Sequence, residues 1–197
     1  MPQSQEEKAS PVGLPRIINV VGLKDSGKTA VAEGLIAELI GRGYRVGAVK
    51  TTRHPTLSVD AEGTDTRRFA DAGAAFVIGL LDTETHYFER RPARSTLREA
   101  ARFFAADTQL VVCEGTVEPD AHPLFIVCLR SVSDFERTIA TREVPLKDVL
   151  AISGLVASAG PTGLAAPCFD ITDPRQRASL ADLILQACGS PRPLGRP

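Results

Sequence analysis

Residues 22–29 read GLKDSGKT, and no other stretch restricts the fold of this chain so strongly. Two glycines bracket four residues, then a lysine and a threonine follow, which is the phosphate-loop pattern G-x-x-x-x-G-K-[ST]. Gly22 and Gly27 allow a tight backbone turn in which successive N–H groups point inward at phosphate oxygens. A helix starting near Gly27 adds the positive end of its dipole. Lys28 is spaced to reach the β- and γ-phosphates, and the Thr29 hydroxyl to ligate Mg²⁺. A chance match in a glycine-rich turn is the alternative, and the flanks argue against it. RIINVV, residues 16–21, is an apolar β-type run, while KTAVAEGLIAELI places Val31, Leu35 and Leu39 on one helical face with Ile36 and Ile40 beside them.

Strand, loop and helix in that order predict an α/β fold of the P-loop NTPase class, a mostly parallel sheet flanked by helices. At 197 residues the chain suits one domain with a full core. We place that domain at 16–188, after a disordered leader over 1–15 and before a flexible tail over 189–197. A net charge of −1 gives no electrostatic pull toward nucleic acid or a membrane surface. No run approaches the roughly 18 apolar residues of a membrane span, and the polar N-terminus lacks the apolar core of a secretory signal. Cys113, Cys128, Cys168 and Cys188 form no C-x-x-C pair, so free thiols and a cytoplasmic setting are expected rather than a metal cluster.

Further along, YRVGAVK (44–50) reads as a second strand, which the crossover rule pairs in parallel with the first. TRRFADAGA reads as helix up to Gly73. AFVIGLL and THYFER, on either side of DTET, predict an antiparallel hairpin. STLREAARFFA is a helix with Thr96 and Glu99 at capping-box spacing. LVVCEG and PLFIVCLR are buried strands, and SDFERTIA is a short helix with Ser133 and Glu136 spaced as a cap. DVLAISGLV and PCFDI read as late strands. DPRQRASLADLILQA closes the chain as a helix with Leu180, Leu183, Ile184 and Ala187 on one face.

The candidate nucleotide contacts are Gly22, Lys24, Asp25, Ser26, Gly27, Lys28, Thr29 and Ala30, with Lys28 and Glu114 as catalytic candidates. A loop of this type needs an acid near Mg²⁺, and two compete. Glu114 ends a buried run and precedes Gly115, which permits close backbone approach to a phosphate. Asp82 lies at the hairpin turn, where Asp is common for local hydrogen bonding alone. The turn chemistry favours Glu114. Lys24 adds charge to the phosphate site or to a subunit interface, or is simply solvated. The polar stretch from Lys50 to Arg68 follows a strand expected to end on the ligand-binding face. In it, Asp60 or Asp65 is a water-mediated metal candidate, and Arg53 and His54 are anion contacts, against a plain solvated loop. His86 and His122 show no partner pattern. Asn-Lys-x-Asp, a common guanine reader, is missing, because the chain has only Asn19. Segments around Ser153 or Asp173 are left as candidates for base selection.

The ordered set GLKDSGKT, RGYRVGAVK, TTRH…GTDTRRFADAGA, LVVCEG and FDITDP resembles the molybdopterin-guanine dinucleotide biosynthesis protein B (MobB) family across most of 16–187. The resemblance implies a P-loop GTPase-like fold, GTP and Mg²⁺ binding, weak hydrolysis and a homodimer. Its implied partner is the molybdopterin guanylyltransferase, with molybdopterin or a molybdoenzyme as further candidates. It assigns Gly22, Gly27, Lys28 and Thr29 to nucleotide, and Asp65 and Glu114 to the metal and γ-phosphate side. The family's histidine-rich segment is thinned here to Thr51, Thr52, Arg53 and His54, and Thr116 follows Glu-Gly where many members carry an aromatic or a lysine. Two other readings stand beside it. One is an ATP-using small-molecule kinase with a lid built on Arg90, Arg91, Arg94, Arg98 and Arg102. The other is a nucleotide-gated adaptor that does not hydrolyse.

Overall fold

The computed structural model describes residues 15–51, 64–89, 95–160 and 162–194. Within the stretch read as one domain, the chain divides into two compact units. One holds the described residues up to Thr51 and from Leu97 onward, and the other lies within Thr52–Thr96. Residues 1–14 of the stretch read as a leader over 1–15, the segment 52–63 with Arg53, His54 and Asp60, and the arginines at 90, 91 and 94 lie outside the described residues.

The larger unit is built on β1 (Arg16–Gly22), β2 (Val46–Lys50), β5 (Leu110–Glu114), β6 (Leu124–Cys128) and β7 (Val149–Ser153). They form a parallel sheet in the order β2-β5-β1-β6-β7. Near-continuous apolar runs suit strands covered on both faces, and the alternation of side chains divides them. Ile18, Val20, Leu110, Val112 and Ile126 face α1 (Lys28–Gly41) and α5 (Pro174–Ala187). On the opposite face, Val21, Phe125, Val127 and Ile152 meet residues of α4 (Phe135–Arg142), while Ile17, Val111 and Cys113 meet Leu97, which opens α3 (Leu97–Ala100), and Val117.

Several expectations are corrected. β1 and β2 are parallel but do not pair, because β5 lies between them and bonds to both. The α1 stripe is Val31, Ala32, Leu35 and Leu39, and Ile40 falls on the outer side with 47% exposure. In α5 the buried face is Leu180, Ala181, Ile184 and Leu185, leaving Ala187 exposed. Ser133 does not cap α4. A 3₁₀ turn over Val132–Asp134 precedes that helix, and the Ser133 hydroxyl bonds Ser131 at 2.9 Å. Asp134, in the cap position, gives its carboxylate to Arg130 at 2.8 and 2.9 Å, because a bidentate charged pair outcompetes a backbone N–H. α3 is shorter than read, passes into a 3₁₀ turn, and donates its Leu97 N–H to the Glu118 carboxylate.

PCFDI is not a strand of its own. It attaches to β7 through one parallel bridge, Ile152 to Cys168, with Ile152 N–H bonding Pro167 at 2.8 Å and Phe169 N–H bonding Ile152 at 3.0 Å. Beyond α5, the stretch read as a tail is held at two points. Leu194 N–H bonds the Gly43 carbonyl at 3.0 Å, and Gln109 bonds the Arg192 carbonyl at 2.6 Å.

The smaller unit contains α2 (Asp65–Asp71), capped by the Thr64 hydroxyl, and the expected antiparallel hairpin of β3 (Phe76–Leu80) and β4 (Thr85–Glu89). Among the described residues no helix is long and apolar enough to cross a membrane.

Candidate functional site

The loop leaves β1 at Gly22 and enters α1 at Lys28. Gly22 is required for close approach rather than for a turn. A Cβ there would meet the Ser26 hydroxyl and come within 2.5 Å of the Cys128 carbonyl. The Leu23 carbonyl gathers the loop, accepting from Ser26 Oγ at 2.9 Å and from Lys28 Nζ at 2.6 Å. Ser26 is buried, and Lys24, Asp25, Thr29 and Ala30 are exposed. Gly27 caps α1 in the left-handed conformation. It supplies no side-chain cap bond, and the first turn of the helix carries no acid. A helix start normally satisfies its free N–H groups with a Ser, Thr or Asp side chain. This 14-residue helix instead presents a bare positive end beside a lysine.

Burial holds the Lys28 ammonium below the usual lysine range, and Glu114 partly opposes that shift. Cys128 lies in register with Gly22, and burial pushes its thiol up to about 12, so it stays protonated and inert.

Glu114 ends β5, next to Lys50 in the sheet register. Its Oε2 accepts from Thr29 Oγ1 at 3.0 Å, and Lys50 Nζ lies 3.3 and 3.4 Å from its two oxygens. The structure thus joins Lys28, Thr29 and Glu114 around the loop. It places Asp82 at the hairpin turn of the smaller unit, as the turn chemistry favoured. Asp65 begins α2 in that unit and pairs with Arg68 at 3.1 Å. His86 bonds Glu84 at 2.9 Å in the same unit. His122 stands at φ 47° after a 3₁₀ turn. The arginines read as a lid have other contacts where they are described, Arg98 lying 3.9 Å from Asp120 and Arg102 over the Phe103 ring at 4.7 Å.

The base-selection candidates have structural duties. The Ser153 hydroxyl bonds the Phe169 carbonyl at 2.7 Å, fastening the segment after β7. Asp173 caps α5, accepting from Arg175 N–H at 2.8 Å and Gln176 N–H at 3.4 Å. The Arg175 bond, aided by Gln176, holds its carboxyl below the ordinary range. Asn19 is buried in β1 with both side-chain amide atoms unpaired.

Two contacts escaped sequence reasoning. Arg142, at the end of α4, donates Nε to the Gly22 carbonyl at 3.0 Å and so braces the loop from behind. Gly154, just past β7, packs on the loop so closely that its Cα lies 3.3 Å from where a Gly27 Cβ would be. Gly-Leu after a strand carries no motif, so only Gly154 itself, breaking an apolar run, was a signal. Beyond it, Ala157, Leu164, Ala166 and Cys168 line a cavity of about 400 Å³ with Gly160 and Gln176.

Among the described residues no group of three or more His, Cys, Asp or Glu side chains converges on a metal position, and all four cysteines are free thiols. One hydroxyl and one carboxylate suit Mg²⁺, a hard cation that keeps several waters and takes substrate phosphate oxygens. They do not suit a transition metal held by the protein alone.

Residues 17–143 match the family model of Molybdopterin guanine dinucleotide synthesis protein B, MobB. The Molybdopterin-guanine dinucleotide biosynthesis adapter protein of Haemophilus influenzae is 36% identical over 100 residues, 50% of this chain and 56% of that protein. A putative adapter protein of the same description from Methanocaldococcus jannaschii is 36% identical over 103 residues, 52% of this chain and 42% of that one. The chain therefore spans about half the length of the curated relatives it matches. Among solved structures, Bacillus subtilis MobB superposes with a TM-score of 0.65 at 24% identity, covering 87% of this chain and 96% of that one, which supports the fold.

Proposed function

The chain belongs to the molybdopterin guanine dinucleotide synthesis protein B family, and from that premise we propose that it binds GTP with Mg²⁺ on residues 22–30, hydrolyses it weakly and acts as an adapter to the guanylyltransferase that joins GMP to molybdopterin. The observation that carries the nucleotide reading is the uncapped start of α1, with Lys28 at its first position and Thr29 bonded to Glu114. An anion supplies the missing cap, and the triphosphate is the anion whose length suits the loop and Lys28. The adapter role rests on the family.

In this reading the loop N–H groups and Lys28 hold the β- and γ-phosphates. The Thr29 hydroxyl donates a hydrogen bond to Glu114, which would leave the hydroxyl oxygen's lone pairs free to ligate the metal. Thr29 and Glu114 would hold Mg²⁺, which when bound would supply neutralisation of the phosphate charge. Glu114 orients Thr29 and water on the γ-phosphate side. Asp65 is assigned by the resemblance alone, and its carboxylate is engaged by Arg68, so Thr29 and Glu114 carry the metal reading. The cavity that starts three residues beyond Gly154 is large enough for a purine, and is the place where base preference would arise. No observation favours the kinase lid.

Calorimetry with GTP and ATP in the presence of Mg²⁺ tests this reading, with GTP expected to bind modestly tighter. ATP clearly tighter would return the weight to the kinase. Glu114→Gln should cut phosphate release by about 100-fold while a non-hydrolysable GTP analogue binds within about threefold of wild type. Equal rates would move the role to Asp82, Asp65 or Asp60.

We also propose the homodimer that the resemblance implies, formed through the outer face of the hairpin. Phe76, Ile78 and Leu80 alternate along β3 and are 57%, 49% and 80% exposed. Tyr87 stacks on Phe76 with ring centroids 6.3 Å apart. A contiguous apolar face of this kind marks an interaction surface. Ile78→Asp should convert a dimer to a monomer in sedimentation velocity. A wild-type monomer at micromolar concentration would overturn the assignment.

A further inference from the structure

Lys50 is not part of the phosphate-loop motif, yet the sheet delivers it to the same carboxylate. Parallel pairing puts Lys50 and Glu114 side by side at the ends of β2 and β5, so their side chains leave the same face. The ammonium is nearly equidistant from the two carboxylate oxygens, at 3.3 and 3.4 Å, which is where a cation shared by both oxygens sits. Thr29 takes one of those oxygens at 3.0 Å. One carboxylate thus serves the proposed metal ligand and a resident positive charge together.

We infer that Lys50 is a built-in counter-cation, which neutralises Glu114 in the metal-free protein and yields that carboxylate when Mg²⁺ arrives with the nucleotide. This rests on the nucleotide reading above. Two positive charges beside one carboxylate repel, so the ammonium and the divalent ion compete. The side chain is able to leave. It is 58% exposed, whereas the Glu114 side chain is 15% exposed, and a lysine ammonium is a compact charge on a flexible stem that water solvates readily. The backbone beneath it is not able to leave. Thr51 N–H bonds the Glu114 carbonyl at 2.9 Å, and the Thr51 hydroxyl bonds the Thr116 carbonyl at 2.9 Å. The response is therefore a swing of one side chain over a fixed strand end, and Lys50 acts as a positioning residue that tunes metal affinity.

The test is a Mg²⁺ titration of the full chain with a fluorescent non-hydrolysable GTP analogue, read as bound analogue. Lys50→Met and Lys50→Gln should lower the half-saturating Mg²⁺ concentration on the order of tenfold, the scale of one like charge removed from a partly solvated site. Lys50→Arg keeps the charge and should stay within about twofold of wild type. A purely structural ion pair would change melting temperature without moving the Mg²⁺ midpoint. An unchanged or raised midpoint in both neutral variants overturns the inference while leaving the nucleotide site intact. Wild type that binds no analogue at any Mg²⁺ concentration overturns the nucleotide reading itself.

Discussion

Lys28→Ala is expected to weaken GTP binding by at least ~2 kcal/mol, about 30-fold, with little change in folding stability. The reason lies in how the loop is held. The Lys28 ammonium bonds the Leu23 carbonyl at 2.6 Å, but that carbonyl also receives the buried Ser26 hydroxyl at 2.9 Å, and Arg142 holds the Gly22 carbonyl at 3.0 Å. Removing Lys28 leaves the loop framed by these other bonds. What is lost is a half-buried positive charge whose ionised form burial already disfavours. A triphosphate reverses that penalty by supplying the opposite charge, so most of the effect appears in the bound state. Titration calorimetry measures it, and a parallel thermal melt shows whether the fold is intact. An affinity equal to wild type would remove the phosphate-loop assignment, whatever the family.

The part of the candidate site that lies in one continuous stretch is legible in the sequence. The spacing of Gly22, Gly27, Lys28 and Thr29, and the strand and helix on either side, are local features. The place of Glu114 was legible because a strand too apolar to face water ends there in a carboxylate, but the room beside Gly115 that was read as space for a phosphate is taken by Thr51, whose carbonyl and hydroxyl a Cβ there would meet. What escaped depends on contacts between distant residues. The insertion of β5 between β1 and β2 is decided by side chains some sixty positions downstream of β2, and no local period records it. Ser133 had the spacing of a cap, yet Arg130 drew Asp134 away and a 3₁₀ turn shifted the helix start. Cys168 and Phe169 had strand composition, but they follow a break at Gly154 and attach through a single bridge. Arg142 is an ordinary basic residue at a helix end until the fold brings Gly22 to it.

Gly154 shows the same dependence, and replacing it should be more damaging than any change in the exposed part of the motif. Its backbone stands at φ 88° and ψ −158°, a region open essentially to glycine. A Cβ there would run into the Ser26 carbonyl oxygen and lie 3.0 Å from both the N and O atoms of Leu129. Neither neighbour gives way easily. Leu129 N–H bonds the Ser153 carbonyl at 3.0 Å, and its own carbonyl receives Val156 N–H at 3.0 Å. Ser26 is the buried pin of the loop. Gly154→Ala is therefore expected to destabilise the protein by roughly 2–4 kcal/mol, from backbone strain and overpacking together. It should also displace the loop enough to weaken analogue binding in the fraction still folded. Gly189→Ala is the control, because Gly189, which follows α5, also has positive φ, 80°, but nothing lies within 4 Å of its added Cβ. That variant feels strain alone and should keep its nucleotide affinity. Urea denaturation gives the first quantity and fluorescence titration the second. If the two variants are equally stable and bind the analogue equally well, contact with Gly154 does not hold the loop, and Arg142 and Ser26 position it without help from β7.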